Sequence, residues 1–519
     1  MTTLRFNKLT GLALAAVIAG GLLAPAAFAQ DAAPAPAAAE AAAPAATPEA
    51  AAPVAEAAAP VVEAAAAPAA EAAAPTVDKG DTTWMLVSTV LVLLMIIPGL
   101  ALFYGGLVRQ KNMLSMLMQV STVTVIGMIA WLFYGYSLAF TDGGALDTFV
   151  GGAGRLFLKD VTPASTVATF STGVAIPELV FICFQMTFAC ITAALVLGGV
   201  AERMKFAAVV AFAILWPLLS YYPMAHMVWW WAGPDAVAAA PKDPIQSGLL
   251  WGFGALDFAG GTVVHINAGI AALVGALIVG PRKGFGSEAM PPHSLTLTLV
   301  GAGLLWVGWF GFNAGSNLEA NGYAALAMIN TLVATAAAGI SWVAVEWLTR
   351  GKASMLGLAS GLVAGLVAVT PAAGFAGPVG AVILGLVVSP ICVFFCSTIK
   401  NALKYDDSLD AFGIHAVGGI VGAIATGLLV NPAWGGAGVV DYTTCALDGD
   451  ISTCDTAAYV MGTQVMAQIK AVLVAIGWSG VMSTIVFFLI KYTIGLRPSV
   501  ETEEEGLDIT EHGERAYHS

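Results

Sequence analysis

Charge is scarce in this sequence. Only 10% of the 519 residues are Asp, Glu, Lys or Arg, against roughly a quarter in an average soluble chain. With 58% hydrophobic residues and a mean hydropathy of +0.84, an ordinary cytosolic globule is excluded. A basic patch interleaved with aromatics is also lacking, which excludes nucleic acid as a partner. No nucleophile, base and orienter fall together at usable spacing, so the chain does not read as an enzyme.

What acid there is lies at the ends. Of 33 acidic residues, eight lie between Asp31 and Asp81 and seven between Glu501 and Glu514. Residues 82–500 hold 18 acids against 16 Lys and Arg, so the formal charge of -13 says little about the body of the protein, which is nearly neutral.

Residues 1–29 have the form of a cleaved signal peptide. Arg5 and Lys8 precede an apolar run, Leu12 to Leu23, that is too short to span a bilayer, and Ala27-Phe28-Ala29 offers a small-x-small cleavage site. Residues 30–80 follow as an Ala/Pro-rich linker on the periplasmic side. Proline recurs and aromatics are missing from Gln30 to Val77, so this tract cannot build a core and reads as disordered.

Long apolar runs dominate the rest. Eleven of spanning length lie at about 84–107, 114–140, 177–200, 206–230, 257–280, 294–315, 323–348, 354–373, 378–398, 411–431 and 463–494. The fold class is therefore all-α integral membrane, a multi-pass protein. If the first span enters from outside, the inner loops collect twelve Lys and Arg, including Arg109, Arg203, Arg282, Arg350 and Lys400, whereas the outer loops hold Arg155, Lys159 and Lys242. That asymmetry puts the N-terminus outside and the C-terminus in the cytoplasm, with the chain in a bacterial cytoplasmic (inner) membrane.

Ionisable groups inside a span are costly and therefore informative. His265 and His415 are two such groups, and each opens a His-x-x-x-Gly-Ile pattern. Asp257 precedes His265 by eight residues and Asp410 precedes His415 by five. These are the fifth and tenth spans. Because five is odd, the second half runs inverted, giving a 5+5 inverted pseudo-repeat plus an eleventh helix, an architecture whose site lies where the halves meet. Two imidazoles with no third ligand are too few for a zinc site, and no cofactor is implied. A greasy path with two such nitrogens suits a small, weakly polar solute. Phe184 to Phe188, Trp229 and the run Gly308 to Ser316 add aromatics at the outer side, where ring faces hold a cation or form an interfacial belt.

The segment Asp257-Phe258-Ala259-Gly260-Gly261-Thr262-Val263-Val264-His265-Ile266-Asn267 resembles the signature of the ammonium transporter, methylammonium permease and Rhesus family. Gly99 to Arg109, Ala201-Glu202-Arg203-Met204-Lys205-Phe206, Gly308 to Ser316 and Phe412-Gly413-Ile414-His415 resemble it too. The resemblance implies a homotrimer in the lipid bilayer, one pore per subunit, conducting ammonium or ammonia and methylammonium. It implies a substrate-recruiting site of Phe188, Trp229 and Ser316, a gate of Phe188 over Phe312, and a pore lined by His265, His415 and Trp309. It makes Asp257 a structural and electrostatic carboxylate at the outer mouth, and places Asp410 and Asp407 at the inner end. Three tryptophans, Trp229, Trp230 and Trp231, compete for the ion; the 41-residue spacing from Phe188 favours Trp229.

By the same resemblance residues 84–494 form the transporter domain and 495–519 a cytoplasmic regulatory tail, a docking surface for a PII-type nitrogen signal protein. A sensor signalling through that tail, or a conduit for another small solute such as methylamine or carbon dioxide, are the alternative functions. Cys183, Cys190, Cys392 and Cys396 lie in spans and read as apolar packers, whereas Cys445 and Cys454 flank an outer loop where a disulfide is possible.

Overall fold

In a computed structural model of the chain, residues 76–446, 451 and 454–517 are described. The signal peptide and nearly all of the linker read from the sequence lie outside the described residues. Among those described, eleven helices are long and apolar enough to cross a membrane: Lys79–Leu107, Gln110–Phe140, Glu178–Val200, Phe206–Trp229, Gly261–Val279, Leu295–Gly315, Gly322–Arg350, Met355–Ala372, Pro378–Leu403, Phe412–Leu429 and Met461–Thr493.

Three span starts lie four or more residues from the hydropathy reading, at Lys79, Gln110 and Gly261, and capping explains the first and the last. The first helix begins at Lys79, within the expected linker, because the Asp78 carboxylate accepts the N–H groups of Gly80 and Asp81 at 2.6 and 3.1 Å and so satisfies donors that a helix start leaves unpaired. The fifth begins only at Gly261. Asp257 lies ahead of it as its cap, and Gly260 bridges the two with φ of +112°, a conformation open to glycine.

The fifth and tenth spans are antiparallel. Arg282, just after the fifth, pairs with Asp406, just before the tenth, while Leu256, just before the fifth, and Ala423, late in the tenth, share one partner. That partner is Gln468 of the eleventh span, which is 1% exposed. Its Oε1 accepts from Leu256 N–H at 2.7 Å, and its Nε2 donates to Leu256 O at 2.8 Å and Ala423 O at 2.7 Å. A buried amide with one polar end left unpaired would cost about 1–3 kcal/mol, so this pairing fixes the eleventh helix across both halves.

The repeat read from the sequence has a packing reason. Each glycine four residues after a histidine lies against the other helix. A Cβ on Gly269 would collide with Ala416 N, and one on Gly419 would lie 3.0 Å from Gly261 O and 3.1 Å from His265 Cβ. The two helices cross closely because both lack a side chain there. Each also opens with a wide, π-type turn that carries its histidine, Gly261–Ile266 and Phe412–Ala416, a local irregularity frequent at functional sites.

At the end of the bundle that holds Trp229, a small sheet runs in the order β1-β3-β2, with β1 Thr76–Val77, β2 Thr166–Ala168 and β3 Val174–Pro177. At the opposite end the last residues dock on loops. Leu507 N–H donates to Asn112 Oδ1 at 2.9 Å, and the Asp508 carboxylate accepts Leu114 and Ser115 N–H at 3.1 and 2.8 Å, capping the second span.

Candidate permeation pathway

From the Trp229 end inward, aromatic rings close the path. Phe188 of the third span and Phe312 of the sixth stack with centroids 4.1 Å apart and planes 10° apart, and both rings are fully buried. Above them the Trp229 ring meets Phe188 edge-on at 5.9 Å, and its indole N–H donates to Asp257 O at 2.9 Å. Ser316 sits one turn beyond Phe312, its hydroxyl donating to Phe312 O at 2.8 Å.

The other two tryptophans point elsewhere. Trp230 stacks on His226 at 4.9 Å and Trp231 stacks on Trp251 at 5.1 Å. Of the three, it is Trp229 whose ring meets Phe188.

Below the phenyl pair lies a narrow buried cavity lined by Ile191, Leu195, Val264, Leu305, Trp309 and both histidines. His265 and His415 face each other with rings 14° from parallel and centroids 5.3 Å apart, and their Nδ1 atoms are 3.3 Å apart. One Nδ1 must donate and the other accept, so the neutral pair holds opposite tautomers. His265 Nε2 has no hydrogen-bond partner among the described residues. The His265 ring also stacks on Trp309 at 5.4 Å, and Trp309 Nε1 donates to Thr370 Oγ1 at 2.9 Å. Thr370 is a support that the sequence reading missed, since nothing local to residue 370 signals it.

Asp257 spends both oxygens on backbone. Oδ1 accepts Gly260 and Gly261 N–H at 3.0 and 2.6 Å, and Oδ2 accepts Thr262 and Val263 N–H at 2.8 and 3.2 Å. This places a carboxylate on the positive end of the fifth helix and fixes the turn carrying His265.

The tenth span repeats the device, with Asp407 rather than Asp410. Asp407 lies eight residues before His415, the spacing of Asp257 to His265, and accepts Ala411 and Phe412 N–H at 3.0 and 2.8 Å. Asp410, read as the counterpart of Asp257, instead pairs with Lys400 at 2.8 Å and is partly exposed. The equal spacing is the signal that the shorter count to Asp410 obscured. Burial lifts the Asp407 carboxyl to about 6, opposed by the Lys400 ammonium.

Beneath the tenth span a charged cluster ties the loops together. Arg282 bonds Asp406 at 2.8 Å and Glu202 at 3.0 Å, and Arg109 bonds Glu202 at 2.9 Å. Burial pushes Glu202 up, but Arg282 and Arg109 reverse this and hold it below the usual carboxylate range. The tail joins here, with Lys283 N–H on Glu503 Oε1 at 3.0 Å and Arg497 paired to Glu503.

Of the cysteines, Cys445 and Cys454 are joined, Cys190 and Cys392 are buried, and Cys183 is exposed rather than packed.

Fold and site together define a helical membrane protein with a narrow, mainly apolar buried cavity, stacked phenyls at one side of it and paired imidazoles on its wall. Residues 83–517 match the family model described as Ammonium Transporter Family. An "Ammonium transporter" from Aquifex aeolicus is 43% identical over 440 residues, 85% of this chain and 94% of its own length. One from Bacillus subtilis is 40% identical, covering 84% and 98%. Among solved structures, a "Sensor Amt Protein" superposes with a TM-score of 0.71 at 27% identity, covering 83% of this chain and 98% of that one. Saccharomyces cerevisiae Mep2 gives 0.69 at 32%, covering 82% and 91%. The chain belongs to the ammonium transporter family, a family of membrane transporters and not of enzymes.

Proposed function

We propose that the chain conducts ammonium into the cell. Recruitment at Phe188, Trp229 and Ser316, passage between Phe188 and Phe312, and transfer along His265, His415 and Trp309 are the steps. The observation that carries the reading is the Nδ1 to Nδ1 contact of 3.3 Å between two buried histidines directly below the stacked phenyl pair. An intact cation has no carboxylate to meet there, because the oxygens of Asp257 are committed to four N–H groups. A dry bore disfavours charge strongly, so the solute crosses as neutral ammonia and the histidines relay the proton.

The Lys and Arg asymmetry supports a periplasmic N-terminus and cytoplasmic C-terminus, with the Trp229 end outward. Residues 84–494 act as the transporter domain and 495–519 as a regulatory tail meeting a PII-type protein, in a homotrimer. Labelled methylammonium uptake by vesicles carrying wild type, Ser316→Ala and His265→Ala tests the reading. Wild-type uptake with a raised KM for Ser316→Ala is expected, and uptake equal in all three overturns it.

A second reading, ammonium sensing, is favoured by the docked tail and by likeness to the solved "Sensor Amt Protein". Removing residues after Arg497 would then abolish signalling while leaving uptake intact.

A further inference from the structure

Three stretches at the Trp229 end take no part in the pathway, yet all converge on Ser171-Thr172-Gly173. The Ser171 hydroxyl accepts Ile451 N–H at 2.9 Å, and the Thr172 hydroxyl donates to Ala446 O. Gly173 N–H donates to Asp235 Oδ1 at 2.7 Å, and Gly173 O accepts Thr76 N–H at 2.9 Å. Ser171 and Thr172 are fully buried.

From this hub the Glu319 carboxylate leads to the mouth. Glu319 accepts Ser171 N–H at 2.9 Å, the Ser171 hydroxyl at 2.8 Å, Phe170 N–H at 3.2 Å and Asn321 Nδ2 at 2.9 Å. Asn317 Nδ2 donates to Glu319 O at 2.9 Å and Asn321 Oδ1 at 2.8 Å. The turn so fixed begins at Ser316 and contains Leu318 at φ of +62°, a conformation that L residues other than Asn and Asp rarely hold unaided. The opposite wall is braced as well, since Tyr442 packs on Trp231 at 4.8 Å, two residues beyond Trp229.

Ala446 and Ile451, which reach the hub, both lie between Cys445 and Cys454. Two hydrogen bonds are individually weak holds on a loop, and the covalent link removes much of the entropy that ordering it would otherwise cost. We propose that the Cys445–Cys454 bond is a positioning element of the cation-recruiting mouth: by holding Ala446 and Ile451 on Ser171-Thr172 it fixes Glu319, hence Ser316, and so sets the affinity for ammonium. The proposal rests on the reading of Ser316 as a recruitment residue.

The test uses the full chain in proteoliposomes, with labelled methylammonium uptake measured before and after a water-soluble phosphine. The phosphine takes oxygen from water to become its oxide, and the two sulfurs become thiols. Alkylation and mass analysis confirm the bond before treatment and its loss after. Apparent KM is expected to rise about three- to tenfold on reduction, with Vmax within about twofold, the size of a lost supporting hydrogen bond. Ser171→Ala raises KM similarly and reduction then adds little, because members of one network are not additive. If Ser171→Ala does not assemble, Thr172→Val reads the same coupling. An unchanged KM after verified reduction, two free thiols in the untreated protein, or a full further rise in the variant overturns the proposal. No uptake by the untreated protein overturns the transport reading itself, and the proposal with it.

Discussion

Gly269 lies against the backbone of Ala416 with no room for a methyl group between them. The histidine of each helix is therefore carried at a distance set by a missing side chain on the other. Gly269→Ala must part the fifth and tenth spans, and overpacking of this kind costs about 1–3 kcal/mol. A lower melting temperature together with loss of uptake is expected. Gly477→Ala is the control, since nothing lies near a Cβ there, and it should behave as wild type.

His265→Ala removes one member of the pair that shares a hydrogen bond at 3.3 Å. Ammonium-driven current across pH should then vanish if the imidazoles relay the proton. An unchanged current would exclude the relay.

Thr370→Val deletes the partner of the Trp309 indole N–H. Leaving a buried donor unpaired costs about 1–3 kcal/mol, and the ring that backs His265 loses its fixed orientation. A reduced Vmax with KM nearly unchanged is expected in uptake assays, opposite to the split expected for Ser316→Ala.

Asp407 gives a pH signature. Its carboxyl titrates at about 6, raised by burial from an ordinary 3.8, so the folded protein binds that proton more tightly than the unfolded chain. The resulting stabilisation is complete below about pH 4 and is lost as pH rises through 6. Melting of the detergent-purified protein between pH 4 and 7.5 should show this decline, and Asp407→Asn should flatten it. An identical slope in the variant would contradict the assignment.

The spans were legible because a bilayer forces some 20 apolar residues in succession, a constraint written entirely in local sequence. His265 and His415 were legible for the complementary reason, that polarity is conspicuous in such a run. Misread or missed positions turn on hydrogen bonds, some local and some far along the chain, that hydropathy does not register. Asp410 looked like the mate of Asp257, yet the backbone N–H groups at Ala411 and Phe412 select Asp407. Thr370 supports Trp309 across 61 residues, and Ser171 supports Glu319 across 148, with no local pattern to announce either. Where the helix begins was misjudged at Lys79 and Gly261, since a cap is read from a side chain's hydrogen bonds and hydropathy does not see it.

Gln468 bears on how the molecule works as a machine. Carriers that expose a site alternately to either side rock one half of an inverted repeat against the other. Here one amide from the unduplicated last helix rivets Leu256 of the first half to Ala423 of the second through three hydrogen bonds. Rocking the halves apart would break either the Ala423 bond or both Leu256 bonds of a side chain that is 1% exposed. A transport cycle that keeps these bonds leaves throughput to the side chains along the passage and not to the swing of domains.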